Sequence, residues 1–203
     1  MIKNIIFDFG DIFINLNKEA TLNALTKFGI REIDEKSMKI VYQYEEGKIS
    51  TEDFVTFFSE KFKIAKEDLI IAWNAILLSF PEHRLQFLKE LEESKRYRLF
   101  LLSNTNELHI FWIQNDWGKE LYTEFQNCFE KFYLSHEINF RKPNSEIYQF
   151  VLKENNLKAS ETFFIDDTKE NTDAAEKLGI KTWNLISGEE DVVDLLTKKE
   201  FTT

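Results

Sequence analysis

Ile5-Ile6-Phe7-Asp8 stands near the start of the chain, and Phe163-Phe164-Ile165-Asp166-Asp167 repeats its form near the end. Each is a short, wholly apolar run closed by a carboxylate. Runs apolar at every position read as strands buried on both faces, as in a parallel sheet. Between them, Leu99-Phe100-Leu101-Leu102 closes on Ser103, and Lys142 stands just before Pro143. Ligands of an open parallel sheet bind outside the carboxyl ends of its strands, so Asp8, Ser103, Lys142 and Asp166-Asp167 are expected to converge. A carboxylate nucleophile, a hydroxyl, a cation and a metal-binding acid pair are what phosphoryl transfer through an aspartyl phosphate requires.

Working outward, the opening strand spans about 2–8, and the next seventy residues change character. Helical patterns cover 18–28, 35–46, 52–62 and 66–79, with no strand pattern among them. Gly29 suits the end of the first of these, and Ser50 the start of the third. From Pro81 onward strands and helices alternate: helix 82–94, strand 97–102, helix 106–115, strand 129–135 and helix 144–155. Strand 162–166, helix 169–178, strand 180–185 and helix 189–198 complete the series. That alternation implies an α/β fold, a doubly wound parallel sheet with helices on both faces. Residues 18–80 form an all-helical insertion after the first strand.

Composition narrows the function. At 203 residues the chain suits one core domain carrying an insertion, at about 150 residues per domain. Hydrophobic residues make up 43% of it, with 20 phenylalanines, enough for a sizeable aromatic core. A formal charge of −10 with no basic run argues against nucleic acid or an anionic membrane surface as partner. An anionic substrate then needs local cations or a metal. Cys128 is the lone cysteine, which excludes an intrachain disulfide and a thiolate cluster. No apolar run approaches a membrane span, and the first one runs straight into Asp8 rather than forming a signal peptide. The expectation is a cytoplasmic protein, monomer or homodimer.

Four segments in this order resemble the signatures of the haloacid dehalogenase-like hydrolase superfamily. They are Phe7-Asp8-Phe9-Gly10-Asp11-Ile12-Phe13, Leu101-Leu102-Ser103-Asn104-Thr105-Asn106, Arg141-Lys142-Pro143-Asn144-Ser145-Glu146-Ile147-Tyr148 and Phe164-Ile165-Asp166-Asp167-Thr168-Lys169-Glu170-Asn171. The resemblance implies a Rossmann-like core, residues 1–17 and 81–203, with residues 18–80 as a helical cap closing over the site. It also implies Asp8 as nucleophile. Ser103, the Asn104 amide and Lys142 would hold the phosphoryl group. Mg²⁺ would sit on Asp8, the Gly10 carbonyl and Asp167, with Asp166 acting through water or by orienting Lys142. Asn171 would orient that loop or cap helix 169–178. Asn106 and His109 match an extension of the second signature, equally readable as a helix cap and a packing residue.

Gly10 departs from the family pattern, which usually places a second Asp there to protonate the leaving group. Loss of a general acid commonly costs about 10²–10⁴-fold in rate and matters least for a good leaving group, such as an anomeric sugar phosphate or acyl phosphate. A sugar-1-phosphatase branch has a similar first motif. Asp11, one residue on, is a second candidate for that proton. The expected activity is therefore a Mg²⁺-dependent phosphatase of a small phosphorylated metabolite. A metal-independent 2-haloacid dehalogenase and a low-activity binding or regulatory protein are the alternatives. Specificity falls to the insertion, where Tyr42, Tyr44, Glu46, Gly47 and Trp73 stand near helix ends and the turn Glu45–Ser50 is the candidate to reach the substrate. Arg141 reads as exposed.

Overall fold

A computed structural model describes residues 1–202. Five parallel strands form one sheet: β1 (Asn4–Phe7), β2 (Arg98–Ser103), β3 (Lys131–Leu134), β4 (Thr162–Asp166) and β5 (Lys181–Asn184), in the order β3-β2-β1-β4-β5. β1 is central, and all four of its residues are buried. Its register sets Phe7 beside Leu101 on one side and Ile165 on the other, so β1, β2 and β4 end together.

Alternate side chains of these strands feed two cores. Ile5, Phe7, Leu99, Leu101, Phe163 and Ile165 face one layer, with α5 (Glu82–Glu93), α6 (Glu107–Trp117) and α7 (Lys119–Asn127). Ile6, Phe100, Leu102 and Phe164 face the other, with α9 (Ser145–Glu154) and α10 (Lys169–Glu176). The period-2 geometry of strands makes this partition, and it explains why the runs are apolar throughout. The phenylalanine excess serves the first core, where Phe9, Phe13, Phe125, Phe129 and Phe132 pack largely edge to face.

Residues 18–80 contain α1 (Ala20–Thr26), α2 (Glu35–Glu45), α3 (Thr51–Phe62) and α4 (Lys66–Asn74). They bury a cluster of their own around Val41, Tyr44, Phe54, Phe58 and Leu69, which Leu108 of α6 joins. Asp34 and Ser50 start α2 and α3, each accepting a backbone N–H three residues on. The two connections to the core run antiparallel: Asn15 N donates to Ser79 O at 2.9 Å, and Leu78 N to Asn15 O at 3.0 Å.

Three expectations change. The helix expected at 106–115 is α6, and a second helix that was not expected, α7, follows it after Gly118. The strand expected at 129–135 is the shorter β3, followed by one helical turn, α8 (Ser135–Ile138). The last helix, expected at 189–198, is a 3-10 helix at Val192–Thr197, whose buried Val192 and Leu195 sit one 3-10 turn apart. No helix among the described residues is long and apolar enough to cross a membrane.

Candidate active site

The carboxyl end of β1 continues one step beyond the strand, because Asp8 N donates to Ile165 O at 2.9 Å. The chain then folds into a tight loop, Phe13 N donating to Phe9 O at 2.9 Å and Asp11 N to Ile14 O at 2.7 Å. Asp11 takes the left-handed conformation, φ 56°. Its Oδ1 accepts from Leu16 N at 3.0 Å, and its Oδ2 lies 3.3 Å from Lys18 Nζ. Both oxygens are therefore engaged, one within the loop and one with Lys18. The Gly10 carbonyl accepts no backbone hydrogen bond among the described residues.

At the end of β2, Ser103 is buried, and its hydroxyl has no partner among the described residues. Asn104 works through its side chain: Nδ2 donates to Lys142 O at 2.9 Å and Oδ1 accepts from Lys142 N at 2.8 Å. This two-bond clamp fixes the backbone that carries Lys142, next to the cis Lys142–Pro143 bond. The cap of α6 is Asn106, whose Oδ1 accepts from His109 N at 3.1 Å, leaving Ser103 free of that task.

Lys142 is 1% exposed, and its Nζ lies 2.7 Å from Asp8 Oδ1 and 2.6 Å from Asp166 Oδ2. Burial opposes its charge, but Asp166 and Asp8 outweigh that and hold the ammonium above the ordinary lysine value. Asp166 is wholly engaged: Oδ1 accepts from Thr168 N at 2.8 Å and Asn171 Nδ2 at 2.9 Å, while Oδ2 takes Lys142 and a second Asn171 contact at 3.0 Å. Asn171 thus orients the loop, and Thr168 stands at the helix start. Asp166 thereby holds the Lys142 ammonium through Oδ2. Asp167 faces elsewhere and contacts Lys18 Nζ.

Asp8, Asp166 and Asp167 each bring a carboxylate oxygen within 4.8 Å of the others. Burial, helped by repulsion from Asp166 and Asp167, raises the Asp8 carboxyl above its usual range against the pull of Lys142. Burial likewise raises Asp167, with Lys18 opposing. Lys142 pairs with Asp8 and Asp166, and Lys18 with Asp11 and Asp167, so four carboxylates meet two ammonium groups and the site carries an excess of negative charge. An all-oxygen donor set in that state fits a hard divalent cation such as Mg²⁺, and Asp8, Asp167 and the Gly10 carbonyl are the donors not already saturated.

Around this centre the structure adds contacts to which the sequence does not point. Lys18 carries no motif and is recognisable only from its contacts with Asp11 and Asp167. Asn106 is a hub: Trp73 Nε1 donates to its Oδ1 at 3.3 Å, and its Nδ2 donates to His109 Nδ1 at 3.2 Å. Trp73 therefore serves packing and hydrogen bonding, stacked on His109 at 5.5 Å and against Phe54 at 4.7 Å. Tyr44 is also internal, its hydroxyl accepting from Leu108 N at 3.1 Å. Arg141, read as exposed, pairs with Glu45 of α2 at 3.0 Å and lies 4.1 Å over the ring of Tyr42.

Comparison with known proteins identifies the family. The family model described as haloacid dehalogenase-like hydrolase matches residues 5–185. A HAD family enzyme of Bacteroides thetaiotaomicron, solved as a magnesium complex, overlays with a TM-score of 0.86 at 35% identity, covering 97% of this chain and 99% of that one. A mutant of that enzyme in complex with magnesium and inorganic phosphate has a TM-score of 0.82 at 33% identity, covering 94% and 97%. D-ribitol-5-phosphate phosphatase from the same organism is 29% identical over 93% of this chain and 94% of its own length. Glyceraldehyde 3-phosphate phosphatase of Methanocaldococcus jannaschii is 27% identical over 93% and 86%. With the four signature segments gathered at one end of a parallel sheet, the chain belongs to the haloacid dehalogenase-like hydrolases.

Proposed function

We propose that this protein is a Mg²⁺-dependent phosphatase of a small phosphorylated metabolite, a sugar or polyol phosphate, acting through an aspartyl phosphate on Asp8. The observation that carries the reading is the buried Lys142 bridging Asp8 and Asp166 beside Asp167. Asp8 attacks phosphorus, the ester oxygen leaves with the organic group and takes its proton from water, and a second water then hydrolyses the aspartyl phosphate to inorganic phosphate and free Asp8. Lys142 neutralises phosphoryl oxygens, and the free Ser103 hydroxyl and the Asn104 amide donate to them. Held by Asp8, Asp167 and the Gly10 carbonyl, Mg²⁺ would supply charge neutralisation at those oxygens. With Gly10 in place of an acid, the first loop offers no side-chain proton donor at the family's acid position, and both oxygens of Asp11 are engaged.

Two of the relatives named above are a D-ribitol-5-phosphate phosphatase and a glyceraldehyde 3-phosphate phosphatase, and that supports the substrate class. Residues 18–80 serve as the cap, with residues 1–17 and 81–203 as the core, in a cytoplasmic monomer or homodimer. The test is phosphate release from a panel of small phosphate esters, with Mg²⁺, with chelator, and with Asp8→Asn. Release should vanish with the chelator and fall at least about 10³-fold in the variant. Release that survives both would refute the reading, and chelator-insensitive halide release from a 2-haloacid added to the panel would mark a dehalogenase instead.

A further inference from the structure

α4 of the insertion packs on α6 of the core, and a groove of about 480 Å³ lies between them. Ile70 of α4 lines it with Leu108, Phe111 and Trp112 of α6, and Asn74 and Asp116 add polar groups. Phe111 is 63% exposed and Trp112 41%, so two large aromatic side chains keep much of their surface in water. Small-molecule sites have this size and make-up: apolar and aromatic walls with a few polar groups that fix orientation.

The polar groups say what such a molecule carries. Asn74 is buried, and its Oδ1 has no hydrogen-bond partner among the described residues. Native structures satisfy nearly all buried polar atoms, so an unpaired one in a groove wall calls for a donor. The last torsion of asparagine is soft, which lets the amide turn toward a ligand at little cost. Asp116 is exposed and forms no ion pair among the described residues, and no lysine or arginine lines the groove. Glu67, one turn before Ile70 on α4, is a second exposed carboxylate. An ammonium complements this surface, and a carboxylate or phosphate is repelled by it, on a chain whose formal charge is already −10. A second copy of the chain would bring the same acidic rim to the contact, which disfavours self-association there.

We infer that this groove is a ligand site for a small molecule with an apolar body and a cationic amine. The body lies against Phe111 and Trp112, and the ammonium, with three donors, answers Asp116 and the Asn74 amide. Asp8, Ser103, Lys142, Asp166 and Asp167 are not among its lining residues, and the site does not rest on the phosphatase reading. A molecule bound here bridges insertion and core.

The test titrates the full chain, with Mg²⁺ present, with 4-phenylbutylamine, 4-phenylbutanol and 4-phenylbutyrate, which share one body and differ in charge. Calorimetry should give saturable binding of the amine with Kd below about 1 mM, and at least about fivefold weaker binding of the alcohol. The acid should bind more weakly than the alcohol. Trp112→Ala, at an exposed position, should weaken amine and alcohol alike by about tenfold. Asp116→Asn should weaken the amine by about fivefold and leave the alcohol within about twofold. In ¹⁵N-edited spectra the Asn74 side-chain amide should shift with the amine at the same midpoint. No saturable binding of the amine, equal binding of the acid, an unmoved Asn74 amide, or amine binding that neither substitution alters would overturn the assignment. A dimer seen by sedimentation, which Trp112→Ala dissociates and excess amine does not, would give the groove to a second copy and overturn it too.

Discussion

His109 offers a sharp test of the junction between insertion and core. Its ring stacks on Trp73, its Nδ1 accepts from Asn106 Nδ2, and its Nε2–H donates to the Trp73 carbonyl at 3.3 Å. That pattern requires the neutral ring, and burial holds the pKa down to about 4. The unfolded chain, with a histidine pKa near 6.5, takes up the proton first, so acidification favours unfolding. Stability from this residue is complete above pH 6.5 and is lost as pH falls toward 4. The linkage relation gives a loss of about 2 kcal/mol at pH 5 and about 3 kcal/mol at pH 4. His109→Gln keeps a donor for the Trp73 carbonyl and removes the titration. Urea unfolding of both proteins from pH 7 to pH 4 isolates the effect. Their difference in unfolding free energy should shrink by that amount, while His136, also depressed by burial, contributes to both and cancels. Parallel profiles would refute a ring held neutral between α4 and α6.

Two further substitutions probe glycines that the fold uses differently. A Cβ at Gly10 would meet Leu16 Cδ1 at 2.6 Å, a side-chain tip able to move. Gly10→Asp alone should cost about 1–3 kcal/mol in denaturant unfolding, and Leu16→Ala should relieve the crowding. The double variant should then raise kcat on esters with poor leaving groups by about tenfold or more, within the range of general acid catalysis; an unchanged kcat would show that the family's acid position is not available here. At Gly47 the obstacle is the His136 backbone oxygen and φ is +64°, so Gly47→Ala should lose at least about 2 kcal/mol in the same assay. A loss below about 0.5 kcal/mol would show that the turn does not press on the core.

The centre of this molecule was legible because its signals are local. An apolar run ending in Asp or Ser announces both a buried strand and the polar group at its mouth, so Asp8, Ser103 and Asp166-Asp167 could be placed from topology. Lys142 needed only its position before Pro143 and α9. What escaped depends on residues far apart in the chain. Glu45 and Arg141 meet through the docking of the insertion, and neither neighbourhood hints at the other. Lys18 lies outside every signature yet touches Asp11 and Asp167. The helix Lys119–Asn127 was passed over because Leu121, Tyr122 and Phe125 give a short apolar stripe amid polar residues after Gly118. Val192 and Leu195 satisfied a helical spacing that three residues per turn satisfies better.

The central place of β1 has a consequence for how the chain folds. Ile5 pairs with Leu99 and Phe163, so the strand that begins the chain finds both neighbours only after most of the chain exists. Contacts so distant in sequence are slow to form, since loop closure must come before the reward of pairing. α1–α4 build their cluster mostly from near neighbours and are free to assemble while β1 still waits. During synthesis β1 is a largely apolar segment that lacks its β4 neighbour, and emergence of Phe163-Phe164-Ile165 is the event that completes its pairing.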